Sequence, residues 1–84
     1  MNYPKYVITE FNGMDFVHVL PITRGHCDVV HHKDNVVSAG FFKLYVNDDG
    51  KVDVECFGRS TSLKVLSRGE EDVPLLRQFF ELER

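Results

Sequence analysis

Two alternating runs, Phe41-Phe42-Lys43-Leu44-Tyr45-Val46 and Val52-Asp53-Val54-Glu55-Cys56-Phe57, flank the tetrapeptide Asn47-Asp48-Asp49-Gly50. Nothing else in the chain constrains its fold so tightly. Asn followed by Asp suits a type I turn, and Gly50 can take the left-handed conformation that closes a three-residue loop with a bulge. With Asp48 to Gly50 as the loop, Val46 faces Val52, Leu44 faces Val54 and Phe42 faces Cys56. Six apolar side chains then share one face, the expected core face. The other face pairs Lys43 with Glu55, Tyr45 with Asp53 and Phe41 with Phe57, and should be wet. A two-residue Asp49-Gly50 turn would set Val46 against Asp53 and Leu44 against Glu55, exchanging faces and losing cross-strand pairs of about 0.2 to 1 kcal/mol each. The three-residue loop is therefore preferred.

A second hairpin is expected over 3–20. Asn12-Gly13 suits a type I′ turn, which needs positive φ at both central positions. It pairs Phe11 with Met14, Thr9 with Phe16 and Val7 with His18 on one face, and Ile8 with Val17 and Tyr6 with Val19 on the other. Both faces are largely apolar, as in a ribbon covered on both sides or lying in a subunit interface. Glu10 falls opposite Asp15, a like-charge pair that solvation must relieve. Pro21 ends the strand.

The stretch 23–35 reads as loop with a short helix, Thr23 being a possible cap and Asn35 a stop. Beyond the central hairpin at 36–57, Gly58 breaks the strand, and an edge strand over 62–66 should turn Leu63 and Val65 inward. Ser67-Arg68-Gly69-Glu70 matches a capping box, but a helix begun there would hold Pro74 in its interior at a cost of about 3 kcal/mol. With Asp72 as cap, Pro74 falls in the first turn. The helix is accordingly placed over 73–83, with 67–71 as a turn or preliminary half-turn and Leu75, Leu76, Phe79, Phe80 and Leu82 as its apolar stripe. The fold class is α+β: an antiparallel sheet of two hairpins, four to five strands, with a C-terminal helix on one face.

At 84 residues the chain makes one small domain with a single core. Its 43% hydrophobic and 27% charged residues are those of an ordinary globule. No apolar run approaches a bilayer span, and MNYPKYVITE lacks the regions of a signal peptide, so no membrane association and a cytoplasmic location are expected. The net charge of −3 is spread without a basic stripe for a phosphate backbone, which argues against nucleic-acid binding.

The words Ser38-Ala39-Gly40-Phe41, Cys56-Phe57-Gly58-Arg59-Ser60-Thr61-Ser62-Leu63 and Ser67-Arg68 resemble a pattern in short uncharacterised proteins of tailed bacteriophages and prophages. The likeness covers the C-terminal half and departs at Gly69, where such proteins tend to have Pro. It implies a phage or mobile-element origin and transfers no catalytic residue.

Three constellations could carry chemistry. His26, Cys27, His31 and His32 lie close together, and on a helix Cys27 and His31 would stand one turn apart, as zinc ligands do. A third ligand would have to come from His18 or Cys56; otherwise the histidines are solvated and no cofactor is bound. Arg59, Ser60 and Ser62 offer a guanidinium and hydroxyls to an anion, without a following helix to add its dipole. Cys56 could be drawn as a nucleophile with His18 or His31, but its register points it into the core, where a thiol is inert. Catalysis is not expected. Seven Phe and three Tyr exceed what one thin core needs. A protein contact, most simply a homodimer, is the expected outlet, with Phe41, Phe57, Phe11, Met14 and Phe16 as its residues. A non-enzymatic interaction protein leads over a metal- or ligand-binding domain, an inhibitor of host defence and an enzyme with a split site.

Overall fold

The computed structural model describes residues 3–26 and 35–82. Four antiparallel strands, β1 (Lys5–Phe11), β2 (Met14–Leu20), β3 (Val36–Val46) and β4 (Val52–Phe57), form one sheet in the order β2-β1-β3-β4. A two-stranded sheet of β5 (Arg59–Ser60) and β6 (Val65–Leu66) follows, then a 3-10 turn (Gly69–Glu71) and one helix, α1 (Val73–Phe80). The fold is α+β.

Both hairpins take the registers that their turns dictate. Asn12 and Gly13 have φ of 53° and 77°, a left-handed pair, and β1 pairs with β2 from Phe11↔Met14 to Lys5↔Leu20. At the other turn the Asn47 amide donates to the Lys51 carbonyl (2.8 Å), and the Gly50 amide to the Asn47 carbonyl (2.9 Å). The Asn47 side-chain oxygen accepts from the amides of Asp49 and Lys51, and Gly50 has φ of 78°. Val46↔Val52 through Phe41↔Phe57 follow.

β1 is the junction. It pairs with β2 on one side and with β3 on the other, so Tyr6, Val7 and Ile8 lose all solvent exposure. A register shift between Ile8 and Thr9 leaves Val37 as an extra residue of β3, which packs into the helix-side cluster. That cluster joins Tyr6, Ile8, Phe42, Val54 and Cys56 to Leu76 of α1. On the opposite face Val7, Ala39 and Leu20 meet Leu63. The two-sided apolar pattern of the first ribbon thus reflects two covers within the chain, helix on one side and Leu63 on the other.

Four expectations need correction. Leu44, Val46 and Val52 lie on the expected core face yet are 49%, 68% and 44% exposed, because the β1 ladder reaches only as far as Phe41 and the hairpin runs on past it. Asp53, expected to be wet, is buried under the Arg77 side chain. There is no single strand over 62–66: Leu63 is buried from the turn between β5 and β6, where Lys64 has φ of 58°. The helix stops at Phe80 rather than at residue 83, because Glu81 turns left-handed (φ 56°) and the Leu82 amide donates back to the Arg77 carbonyl. The helix start at Val73, after a half-turn at 69–71, agrees with the sequence reading.

Candidate functional site

Asp72 holds the helix-cap position, but its carboxylate caps no helix amide. It is fully buried and turned toward the sheet. The Tyr6 hydroxyl donates to Oδ2 at 2.5 Å, the Ser38 hydroxyl donates to the same oxygen, and the Arg68 amide adds a third bond at 3.0 Å. Arg68 Nε donates to Oδ1 at 2.7 Å. Further out, Ser67 Oγ lies 2.6 Å from the Tyr6 hydroxyl and accepts from the Gly69 amide, while Ser38 Oγ accepts from the Arg68 amide. Residues from β1, β3 and the 67–72 turn are therefore tied to one buried charge. Among the described residues no buried side-chain nitrogen or oxygen lacks a partner.

The backbone geometry explains why the knot forms there. A Cβ on Gly40 would lie 2.5 Å from the Phe57 carbonyl oxygen and 2.8 Å from Ser67 Cβ. Only glycine lets the 67–72 turn come so near β3, and that approach delivers Ser67 to Tyr6. Gly58, with φ of 82°, bends the chain off β4 against the Phe41 ring.

Burial, followed by the hydrogen bond to Asp72, pushes the Tyr6 phenol well above its ordinary value, so it stays a proton donor. Tyr6, Ser38 and Asp72 superficially offer acid, nucleophile and base. Tyr6, Ser38 and Asp72 are each 0% exposed and bonded to one another, which leaves no open position for a reacting atom. The arrangement clamps α1 to the sheet.

A second polar clamp sits at the β4 edge. Arg77 donates from Nε and Nη2 to the two Asp53 oxygens at 2.8 and 3.0 Å, and Asp53 Oδ1 also accepts the Val54 amide at 2.8 Å. Beside it a groove of about 550 Å³ runs between β4 and the start of α1. Cys56 lines it, but the residue is 6% exposed, and burial pushes its thiol up to about 12. The inward-pointing cysteine of the sequence reading is what the register delivers.

The other sequence-derived sites fare differently. His26 is buried, with Nε2 2.7 Å from the Gly40 carbonyl and its ring edge-on to Phe41. Nε2–H is the donor in that bond, so this nitrogen is not free for a metal. Cys27, His31 and His32, and the short helix placed around them, lie outside the described residues. Among the described residues no three His, Cys, Asp or Glu side chains could hold a metal ion. Ser60 is buried, and its Oγ accepts the Leu63 amide and lies 3.3 Å from Ser62 Oγ, so the Ser60 and Ser62 hydroxyls serve their own turn. Arg59 and Lys64 flank a shallow groove of about 370 Å³ there.

The five aromatic and sulfur residues named for a partner divide into two groups. Phe41 and Phe57 stack at 6.2 Å; Tyr3 packs edge-on to Phe57, and Lys5 Nζ lies over Phe41. They are half-buried by their own chain. Phe11, Met14 and Phe16 share one face at the β1–β2 tip and are 62%, 62% and 43% exposed. Sequence reasoning missed the Tyr6–Ser38–Ser67–Arg68–Asp72 knot, whose members have no fixed spacing. Its traces were Tyr6 next to Val7-Ile8 and Ser38 within the run Val36 to Phe42, and the Ser67-Arg68 pair already noted in the phage-like words.

No helix among the described residues is long and apolar enough to cross a membrane. Comparison with protein-family models, with curated proteins and with solved structures returns no match to this chain.

Proposed function

We propose that this chain is a small non-enzymatic interaction protein of phage or prophage origin, whose working surface is the β1–β2 tip and whose simplest partner is a second copy of itself. The observation that carries this reading is the exposure of Phe11, Met14 and Phe16 together on one face of the sheet. Large apolar side chains grouped in this way mark contact surfaces on soluble domains. The polar groups that could have pointed to catalysis, Tyr6, Ser38 and Asp72, are occupied in holding α1 down. The phage origin rests on the three sequence words alone.

Size-exclusion chromatography with light scattering tests the reading. The expected mass is about twice 9.7 kDa at micromolar concentration. A monodisperse monomer under those conditions refutes the self-association.

A further inference from the structure

The two edges of the sheet are treated differently, and the difference points to how copies would meet. Along an antiparallel strand, backbone groups alternate between facing the neighbour and facing outward. The Asn47–Lys51 bond sets that alternation for β4, so Val52, Val54 and Cys56 direct their amides and carbonyls away from β3. The Val54 amide is taken by the Asp53 carboxylate, itself held in place by Arg77. A charge set into an edge strand blocks the addition of another strand.

β2 has no such device. The Asn12-Gly13 turn makes Phe11↔Met14 a hydrogen-bonded pair, so Asp15, Val17 and Val19 direct their backbone groups outward. Among the described residues no strand lies beyond β2. The strand Met14-Asp15-Phe16-Val17-His18-Val19-Leu20 has no proline, lysine or glycine. Its one carboxylate is drawn aside toward Arg68, 3.7 Å away. Above the edge, Leu75 and Phe79 of α1 wall a groove of about 210 Å³ whose floor is Asp15 to Val17. Phe79 is 45% exposed there.

We propose that two copies pair antiparallel through β2 about a two-fold axis at Val17, making one continuous eight-stranded sheet. This rests on the preceding reading that the partner is a second copy. The strand is self-complementary in that register: Val17 meets Val17, Phe16 meets His18, Asp15 meets Val19 and Met14 meets Leu20 of the second copy. The two Asp15 side chains then stand at opposite ends, about 14 Å apart at 3.4 Å per residue, so they do not oppose one another. Val17 and Val19 of each copy come under Phe79 of the other. Because β4 is blocked, the pairing uses up the open edge of the four-stranded sheet, as the described residues define it, and closes at two copies rather than growing into a filament.

Val17→Pro tests it. The Val17 amide takes no part in the β1 ladder, so proline there spares the fold and removes the central intermolecular donor. Light scattering should give a dimer for the unsubstituted chain, and a monomer with an unchanged far-ultraviolet spectrum for Val17→Pro at the same concentration. A folded Val17→Pro dimer overturns the edge pairing and leaves the interaction reading standing; a monomeric unsubstituted chain overturns both. Should Val17→Pro not fold, amide hydrogen exchange on the unsubstituted dimer decides. The Asp15, Val17 and Val19 amides should exchange at least tenfold more slowly than the outward Val52 amide, and equal rates overturn the pairing.

Discussion

Replacing Asp72 by Ala should be the most damaging single substitution in the α1–sheet contact. The carboxylate is fully buried and accepts four hydrogen bonds, from Tyr6, Ser38 and twice from Arg68. Hydrogen bonds to a charged group contribute about 1.5 to 3 kcal/mol each, but the four share one acceptor group and do not add. Removing one member of a buried charged network typically costs about 3 to 5 kcal/mol. Arg68 is 30% exposed on its side chain and regains water, which favours the middle of that range, about 4 kcal/mol. A domain of this size has about 5 to 15 kcal/mol in all. The melting temperature should therefore fall by about 16 to 32 °C, at 4 to 8 °C per kcal/mol. Asp72→Asn keeps the shape and its amide oxygen can still accept from Tyr6 and Ser38, but its amide nitrogen then faces the Arg68 Nε–H, donor against donor; about 2 kcal/mol is expected. Urea unfolding followed by circular dichroism measures both. Tyr6→Phe combined with Asp72→Ala should cost less than the sum of the two single changes, since both remove the Tyr6–Asp72 bond. A loss below about 1 kcal/mol for Asp72→Ala, with an unchanged urea slope, would refute the view that this carboxylate organises the contact.

Gly40→Ala places a methyl 2.5 Å from the Phe57 carbonyl oxygen, a backbone atom that cannot swing aside, so a loss of about 1 to 3 kcal/mol is expected in the same urea assay. Stability should also fall in mild acid. Burial, only partly offset by the bond to Gly40, holds His26 below its ordinary 6.5, with Lys5 acting in the same direction. As the pH drops from 6.5 toward the folded-state value, the unfolded chain binds the extra proton first and is favoured. His26→Gln should remove that part of the slope in melting temperature against pH, and an unchanged profile would count against it.

Local chemistry carried well into the structure. Asn12-Gly13 and Asn47 to Gly50 specify their own backbone angles, and once the turn is set, every pair along each hairpin follows by counting. Pro74 likewise fixed the start of α1, because its missing amide is harmless only in the first turn. What counting could not supply was how far each ribbon is covered. Leu44 and Val54 are direct partners on one face, yet Leu44 is about half exposed and Val54 is buried, since α1 packs over β4 while the β1 ladder ends at Phe41, short of Leu44.

The same limit governs the polar residues. Asp72 in the sequence is a helix cap like many others, and only its placement beneath Tyr6 and Ser38, 66 and 34 positions away, turns the carboxylate inward. Asp53 reads as the wet half of a cross-strand pair until Arg77 closes over it and gives the β4 edge its block. Sequence by itself determined the two hairpins with their turns and internal registers, and the helix start, because these depend on neighbours a few bonds away. Which faces are dry, where the buried charges are satisfied and which sheet edge stays open were decided by the tertiary structure. Each depends on what distant segments bring within hydrogen-bond or van der Waals reach.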